Sequence, residues 1–265
     1  MTRRLLALAA ALLLLGSCRP VGFAPMYIAN ELAPTGKLRA AINFGNTVLA
    51  QKDPQTGEAR GVSVDLAREL AWRLAVPLDI VPYDAAGKVT ADARRNVWDV
   101  AFFAVDPKRA EDVAFTAPYV IIEGGYAVPA ASPIKSIGEV DRDGMRIAVS
   151  NRSAYDLYLS RNLKSAQLVR APSPQASFEM FAKDGLPVLA GVKAALVGWV
   201  KANPGYRVLD GRFMIIEQAM VTQKDRERSA EYLRAFIEEQ KANGLVAAAL
   251  ARSGQKDAIV APPAK

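Results

Sequence analysis

The alternation of short apolar runs with a helical pattern along the first half of the chain constrains its fold more than any other feature. Three runs have the length and composition of buried strands, and they are residues 37–43 (KLRAAIN), 78–82 and 99–105 (DVAFFAV). Between the first two runs, Leu66, Leu70 and Leu74 recur every fourth residue, which predicts an amphipathic helix. Ser63 is expected to be its N-cap. Strands and helices in this order predict a parallel α/β sheet.

A second series of alternating elements follows a long apolar stretch that begins after Tyr119. Further strands are expected at residues 145–149, 168–169, 194–197 and 212–222. Further helices are expected to begin at Ser153, which opens a capping-box pattern, and to cover residues 175–183, 226–241 and 245–251. The sequence therefore predicts two α/β units.

The composition excludes several classes of function. The chain has 34 Lys and Arg against 27 Asp and Glu, and this net charge of +7 is scattered without a basic run. Nucleic acid is therefore not an expected partner. Histidine is absent, which removes His-based catalytic triads and His metal sites. The single cysteine leaves no internal disulfide and no Cys-rich metal site. Neither a metal nor a cofactor is expected.

Residues 1–17 have the layout of a secretory signal peptide, with two arginines before an apolar run from Leu5 to Gly16. That run is too short to cross a bilayer comfortably, which takes about 20 residues. The sequence Leu15-Gly16-Ser17-Cys18 resembles a bacterial lipobox, which implies lipid attachment at Cys18. Because Cys18 is the only cysteine, lipidation is favoured over a plain signal peptide and over a retained anchor. Residues 18–35 show no periodicity and are expected to form a tether.

Arg109 lies just past the strand expected at residues 99–105, in the sequence Asp106-Pro107-Lys108-Arg109. In parallel α/β sheets, ligands bind beyond the carboxyl ends of the strands. Arg109 is therefore placed where a ligand would bind, and its planar guanidinium matches a carboxylate. The alternative is a solvated surface arginine, and these residues alone favour that alternative.

Five segments occur in an order that carries a resemblance to a known family. They are GKLRAAIN, GVSVDLARELAWRL, WDVAFFAVDPKRAEDVAFTAPYV, MRIAVSNRSAYD and YLRAFIEEQKANGLVAAALARSG. The chain resembles the family 3 extracellular solute-binding proteins, the receptors of polar amino-acid ABC importers. This resemblance implies a type II periplasmic binding protein fold, with two α/β lobes joined by a two-stranded hinge.

The resemblance implies bounds for the lobes and a way of working. Lobe 1 would comprise residues 36–122 and 217–253, lobe 2 would comprise residues 123–216, and residues 254–265 would form a tail. The ligand would lie in the cleft between the lobes, and closure of the lobes would present it to a permease in the inner membrane.

The resemblance also implies a set of ligand-binding residues. Arg109 matches the arginine of the family's Thr-x-x-Arg motif, which holds the α-carboxylate of an amino acid. Arg152 and Ser153 match a helix start in lobe 2 whose N–H groups face the same carboxylate, although Arg152 is alternatively a solvated loop charge. The other residues expected at the ligand are Asn43, Phe44, Asn46, Phe102, Ala104, Asp106, Gly198 and Trp199. For the three aromatic residues among them, the alternative is core or rim packing.

Three departures from the family pattern change the expected ligand. Ala101, Phe102 and Ala104 replace small hydroxylated residues. Asp106 replaces the threonine, and Gly198 stands where the family has an acid that pairs with the ligand's ammonium group. We therefore expect a cleft that holds an anion and does not hold an ammonium group by charge. Its ligand would be a small carboxylate-bearing solute, amino-acid-like or an organic acid, unless Asp106 serves as a relocated ammonium partner.

The expected function is solute binding for an ABC importer, in the periplasm or cell envelope, by a non-enzymatic monomer held at a membrane only through its lipid. One alternative is a ligand-sensing lipoprotein that reports to a membrane partner, since sensing also needs only a closing cleft. A second alternative is a periplasmic dehydratase on the same fold, for which Asp106, Glu123 and Glu217 are the candidate acids and bases.

Overall fold

The computed structural model describes residues 22–264. Its strands are β1 (Leu38–Asn43), β2 (Gln51–Lys52), β3 (Ala59–Arg60), β4 (Leu78–Tyr83), β5 (Val100–Ala104), β6 (Val113–Pro129), β7 (Arg146–Ser150), β8 (Gln167–Ala171), β9 (Val188–Val192), β10 (Tyr206–Val208), β11 (Met214–Gln223) and β12 (Ile259–Val260). Its helices are α1 (Met26–Leu32), α2 (Val62–Arg73), α3 (Ala86–Ala91), α4 (Ala154–Asn162), α5 (Pro174–Lys183), α6 (Lys193–Ala202), α7 (Glu227–Ala242) and α8 (Leu245–Arg252).

Two parallel groups of strands are joined by an antiparallel pair. The order across the main sheet is β4-β1-β5-β11-β6-β9-β7-β8, with β10 and β12 also paired to β6. β1 is parallel to β4 and β5, and β7 is parallel to β8 and β9. β11 and β6 run antiparallel between the two groups, with Ile216 opposite Ile122. This confirms the predicted fold of two α/β lobes joined by a two-stranded hinge.

Each lobe has its own apolar core. In lobe 1, Leu66 and Leu70 of α2 and Phe236 of α7 are buried in one cluster with Ile42 and Phe102. In lobe 2, Tyr155 and Leu159 of α4 belong to a separate buried cluster. Full burial of a Leu or Phe side chain contributes about 1.5–3 kcal/mol. The leucines that recur every fourth residue thus attach α2 to the sheet, as their spacing predicts.

The start of α2 differs from the prediction. Its N-cap is Gly61, which has φ of 116°, and a Cβ there would collide with the carbonyl oxygen of Leu49. Ser63 lies inside the helix, where its Oγ is 3.0 Å from the Tyr119 hydroxyl in the core. The prediction of Ser63 as N-cap was therefore wrong, because a glycine permits a close approach and a left-handed backbone that a side chain would prevent.

The prediction of a strand at residues 194–197 was also wrong. The strand is β9, which ends at Val192, and residues 193–202 form helix α6. The whole stretch from Val188 to Val200 is rich in apolar residues, and a short apolar run does not distinguish a buried strand from a buried helix. Lys193, not Gly198, is therefore the residue that immediately follows the strand.

Both ends of the described chain pack on lobe 1. Within the expected tether, residues 26–32 form helix α1, whose Ile28 and Leu32 are buried in the lobe 1 core. Within the expected tail, β12 pairs with β6, placing Ile259 opposite Ile121. The predicted signal peptide and Cys18 lie outside the described residues. Among the described residues, no helix is long and apolar enough to cross a membrane.

Candidate functional site

A cavity of about 50 Å³ lies between the lobes beside the hinge strands. Lobe 1 contributes residues at the carboxyl ends of β1 and β5, and lobe 2 contributes residues at the carboxyl ends of β7 and β9. The polar residues of its lining are Asn43, Asn46, Arg109, Ser150, Ser153 and Gln218. The cavity therefore occupies the position in which α/β sheets bind ligands.

The rest of the lining is mainly apolar. Its aromatic members are Phe102, Phe103, Tyr155 and Phe178, and its aliphatic members include Val192, Ala195 and Ile216. No carboxylate belongs to the lining formed by residues 22–264, and Arg109 is the one charged residue in it. The cavity thus combines one cation with apolar walls and uncharged hydrogen-bonding groups.

Arg109 is the central polar residue of this cavity. It begins a short 3₁₀ turn after β5 and is only 5% exposed. Its Nη1 donates to the Ala104 carbonyl oxygen at 3.0 Å, and its Nη2 donates to the Arg152 carbonyl oxygen at 2.9 Å. The guanidinium carbon is 5.3 Å from the centroid of the Phe103 ring. These contacts fix the plane of the guanidinium without supplying a negative charge.

The Arg109 Nε is buried and has no hydrogen-bond partner. Burial lowers the pKa of Arg109 to about 10, which leaves the side chain charged at neutral pH. A buried cation without an anionic contact is costly, and so is a buried N–H without an acceptor. An anion that reached the Arg109 guanidinium would supply both a counter-charge and a hydrogen-bond acceptor. Arg109 is therefore not the solvated surface arginine of the alternative interpretation.

The N-terminus of α4 faces Arg109 from lobe 2. Ser153 is the N-cap of this helix, and its Oγ accepts a hydrogen bond from the Asp156 N–H at 3.0 Å. Ser150, Ser153 and Ala154 line the cavity at this end. A helix N-terminus carries unpaired N–H groups and a partial positive charge, which favours an anion. The two lobes thus present anion-favouring groups to one cavity.

Arg152 contacts Arg109 through its main chain. It adopts a left-handed backbone with φ of 56°, and its carbonyl oxygen accepts from Arg109. Arg152 does not line the cavity between the lobes. It lines a second cavity of about 50 Å³, on the other side of Arg109, together with Thr90 and Lys108. The structure therefore brings Arg152 to the site but places its side chain away from the principal cavity.

Asp106 is buried but does not line the principal cavity. Its Oδ1 accepts from the Lys108 N–H at 2.9 Å, and its Oδ2 accepts from Arg161 Nη2 at 2.8 Å. Arg161 belongs to lobe 2, so this ion pair joins the lobes. The carboxylate that sequence analysis considered as a relocated ammonium partner already has a cationic partner.

Gly198 and Trp199 lie on α6 and do not line the cavity. Gly198 is exposed. The Trp199 ring packs on lobe 2, with its centroid 5.6 Å from that of Phe178 and 4.8 Å from that of Tyr206. Trp199 supports the cavity indirectly, because it contacts Phe178, which does line it. Gly198 and Trp199, both predicted to contact the ligand, therefore lie outside the lining of the cavity.

Lys193, the residue after β9, forms an ion pair instead of facing the principal cavity. Its Nζ lies 3.4 Å from Glu123 Oε2, and Arg212 Nη1 lies 2.5 Å from Glu123 Oε1. These two cations lower the pKa of the Glu123 carboxyl, Arg212 more strongly than Lys193. Lys193 and Glu123 line a neighbouring cavity of about 300 Å³ at the hinge. No acid therefore follows β9 at the cleft.

The remaining predicted residues divide into two groups. Asn43, Asn46, Phe102 and Ala104 line the cavity, and the buried Asn46 Oδ1 has no partner. Phe44 packs instead against the lobe 1 core, with Lys52 Nζ 5.2 Å from its ring centroid. The three carboxylates considered for a dehydratase, Asp106, Glu123 and Glu217, all lie outside the cavity lining.

Several residues of the lining were not predicted from the sequence. Ser150 and Val192 are the last residues of β7 and β9, so the rule that drew attention to Arg109 would have found them once the strand ends were correct. Phe178 and Gln218 lie on a helix and on the hinge strand β11, and the sequence carried no signal for either.

The two lobes are in contact across the cleft. Besides the Asp106–Arg161 and Arg109–Arg152 contacts, α3 of lobe 1 approaches the loop after β7. A Cβ added at Gly87 would lie 2.6 Å from the Asn151 carbonyl oxygen and 2.9 Å from the Arg152 Cβ. The structure therefore represents a closed cleft, in which Gly87 permits the approach.

Comparison with known proteins agrees with this geometry. The family model of the bacterial extracellular solute-binding proteins, family 3, matches residues 49–255. A curated glutamine-binding protein of Geobacillus stearothermophilus is 24% identical over 197 residues, which are 69% of this chain and 71% of that protein.

Solved structures share the fold. A mutant of ArgBP from T. maritima superposes with a TM-score of 0.75 at 20% identity, covering 86% of this chain and 100% of that one. The solute receptor for L-cysteine of Neisseria gonorrhoeae gives a TM-score of 0.75 at 22% identity, covering 86% and 93%. At this level of identity the superpositions show a common fold.

Proposed function

This chain belongs to the bacterial extracellular solute-binding proteins of family 3, and from that premise we propose that it binds a small carboxylate-bearing solute and delivers it to an ABC importer. The solute lies in the cavity between the lobes, in the closed state that the structure represents. The lobes open and close about β6 and β11. The permease in the inner membrane recognises the closed, loaded form.

The observation that carries this proposal is the state of Arg109. Its guanidinium is buried in the cleft, its Nε has no partner, and no carboxylate of the described residues lines the same cavity. A carboxylate ligand would accept a charge-assisted hydrogen bond there, typically worth about 1.5–3 kcal/mol. From the other lobe, the partial positive charge at the N-terminus of α4 would stabilise the same carboxylate.

The lining also determines what accompanies the carboxylate. Phe102, Tyr155, Phe178 and Ile216 suit an apolar or planar body. An ammonium group would have only uncharged partners, such as the side-chain oxygens of Asn46 and Gln218. Because a buried charge without a counter-charge is costly, we propose an organic acid, or an amino-acid-like solute without a free ammonium group, over a standard L-α-amino acid.

The proposed location follows from the N-terminal sequence. Cys18 carries the lipid, and the protein is a monomer held at a membrane of the periplasm or cell envelope by that lipid alone. Mass spectrometry of membrane-extracted protein tests this assignment. The expected mature form begins at Cys18 and carries acyl chains, whereas an unmodified soluble form cleaved elsewhere would contradict it.

A ligand screen followed by an uptake assay tests the function. Purified protein is screened by thermal shift against the twenty amino acids and a panel of organic acids, and each hit is titrated by calorimetry. Cells with and without the gene are then compared for uptake of the labelled hit. Loss of uptake in the deletion strain is expected. If the deletion strain took up normally a solute that the purified protein binds tightly, that result would contradict the transport role.

A further inference from the structure

An exposed aromatic surface lies where the described chain begins. Four large apolar residues are each more than half exposed, namely Phe23 just before α1, Met26 and Tyr27 on α1, and Trp72 on α2. The Phe23 and Trp72 ring centroids are 5.5 Å apart, and Met26 and Tyr27 are adjacent on α1. We call these four residues the aromatic patch. They are half of the large exposed apolar residues in the described part of the chain, and all four lie on α1, on the segment just before it or near the end of α2.

The patch is held rigidly on lobe 1. Ile28 and Leu32, on the inner face of α1, are buried in the lobe 1 core. The Ala24 N–H donates to the Arg73 carbonyl oxygen at 2.8 Å, which fixes the segment before α1 against the end of α2. The exposed side chains are therefore presented by an ordered surface, although each of them gains little from folding.

The charges beside the patch are compensated. The Arg228 guanidinium carbon lies 5.5 Å from the Tyr27 ring centroid, and Arg228 Nε lies 3.4 Å from Glu31 Oε2. Arg68, one helical turn before Trp72, lies 3.5 Å from Asp65. Of the described cations beside the patch, Arg68 and Arg228 are thus both paired with a carboxylate, which does not favour a strongly acidic partner. The surface is suited to an amphipathic environment of low charge.

The distance from Cys18 limits where this surface can be. Phe23 is five residues after Cys18. Five residues span at most about 18 Å even when fully extended. A lipid on Cys18 therefore holds Phe23 within that distance of the bilayer, with the rest of the patch close behind it, at a high effective concentration for a weak contact. This step rests on the proposed lipid anchor.

We propose that the aromatic patch rests in the boundary between the headgroups and the acyl chains of the membrane that holds the lipid. Tryptophan and tyrosine favour this boundary, because one end of each ring is apolar and the other is polar. The lipid tethers the protein, and the patch gives it a fixed orientation, with α1 and the end of α2 against the membrane.

Tryptophan fluorescence in reconstituted vesicles tests the proposal. The full, lipidated protein is placed in phosphatidylcholine vesicles whose acyl chains carry bromine, which quenches an indole that reaches the headgroup boundary. Trp98 is fully buried, and Trp199 packs within lobe 2. Quenching is therefore expected from Trp72 alone, and Trp72→Phe should abolish it while leaving the protein bound to the vesicles.

A matched control places an exposed indole elsewhere. Ile215 is exposed near the start of β11, at the opposite end of that strand from α7. Ile215→Trp in the Trp72→Phe background should remain unquenched. Equal fluorescence in brominated and ordinary vesicles for the lipidated wild-type protein would overturn the proposed membrane contact and leave the anchor standing. A Cys18 without lipid would overturn the anchor, and the membrane contact with it.

Discussion

Asp106 and Arg161 form an ion pair that joins the two lobes, with 2.8 Å between Asp106 Oδ2 and Arg161 Nη2. Asp106 follows β5 in lobe 1, and Arg161 lies in the last turn of α4 in lobe 2. The Asp106 side chain is buried, whereas that of Arg161 is nearly half exposed. Because its two members lie on different lobes, separation of the lobes would break this pair, so it favours the closed arrangement over an open one.

Removing the interlobe ion pair should weaken ligand binding modestly. Partly exposed pairs contribute about 0.2–1 kcal/mol, so Arg161→Ala is expected to reduce the affinity by about 1.4–5-fold. Calorimetric titration measures the affinity, and small-angle scattering measures the fraction of closed molecules. Arg68→Ala is the matched control, because Arg68 pairs with Asp65 within lobe 1 at a similar exposure and away from the cavity. Equal losses in the two variants would show that the Asp106–Arg161 pair has no special role in closure.

Gly87→Ala should oppose closure by steric contact. The added methyl group would lie 2.6 Å from the Asn151 carbonyl oxygen, which belongs to the other lobe. Alanine is otherwise favourable in helix α3, so lobe 1 should fold normally. We expect at least about tenfold weaker binding with little change in the melting temperature. Gly205→Ala, where a Cβ meets nothing within 4 Å, is the control. Unchanged affinity for Gly87→Ala would mean that the ligand-bound lobes are farther apart than in this structure.

Gly198→Ala should stabilise the protein without affecting binding. Gly198 lies within α6, it is exposed, and a Cβ there meets nothing within 4 Å. Replacing glycine by alanine inside a helix stabilises by about 0.5–1 kcal/mol. Urea denaturation and calorimetric titration measure the two effects. Weaker ligand binding in this variant would instead indicate that Gly198 lies at the ligand site.

Arg109→Ala should abolish most of the affinity while preserving the fold. The substitution leaves the ligand carboxylate desolvated and unpaired, and we expect a loss of about 3 kcal/mol or more, which is over 100-fold. It also removes a buried, desolvated charge that forms no ion pair among the described residues, which offsets the loss of its hydrogen bonds to two carbonyl oxygens, so the melting temperature should change little. Arg94→Ala, which removes a largely exposed arginine of lobe 1, is the control. Retained affinity in Arg109→Ala would show that the carboxylate binds elsewhere.

The two α/β units and the position of Arg109 past a strand end were predictable because they depend on local patterns, whereas the two-stranded hinge was implied by the resemblance to a family. Leucines at every fourth residue predicted α2, and an apolar run followed by polar residues predicted β5 and the end at which Arg109 lies. The prediction failed for the stretch that contains β9 and α6. This stretch is apolar almost throughout, so neither a strand periodicity nor a helix periodicity is visible in it. That error moved the expected ammonium-binding position from Lys193 to Gly198.

The contacts between the lobes were not predictable in the same way. Asp106 and Arg161 are 55 residues apart, and nothing in either local sequence indicates the other. The direction of the Arg152 side chain depends on its left-handed backbone, which is uncommon for a residue other than glycine. Such features arise from the packing of one lobe on the other, and a single sequence does not reveal that packing.

The described lining of the cavity offers no charged partner to an ammonium group, and matched ligand pairs test the consequence for binding. Each pair consists of an L-amino acid and the same molecule without its amino group, such as phenylalanine with 3-phenylpropionate and leucine with 4-methylpentanoate. Both members offer the same carboxylate to Arg109, and only one carries a charge that the described cavity lining does not compensate.

The measurement is the dissociation constant of both members of each pair, by calorimetric titration of the wild-type protein. We predict that, in the best-fitting pair, the molecule without the amino group binds at least about tenfold more tightly, a difference of about 1.4 kcal/mol. The contradicting result is an L-amino acid that binds more tightly than its partner, with a dissociation constant at or below about 1 μM, which corresponds to about −8.2 kcal/mol.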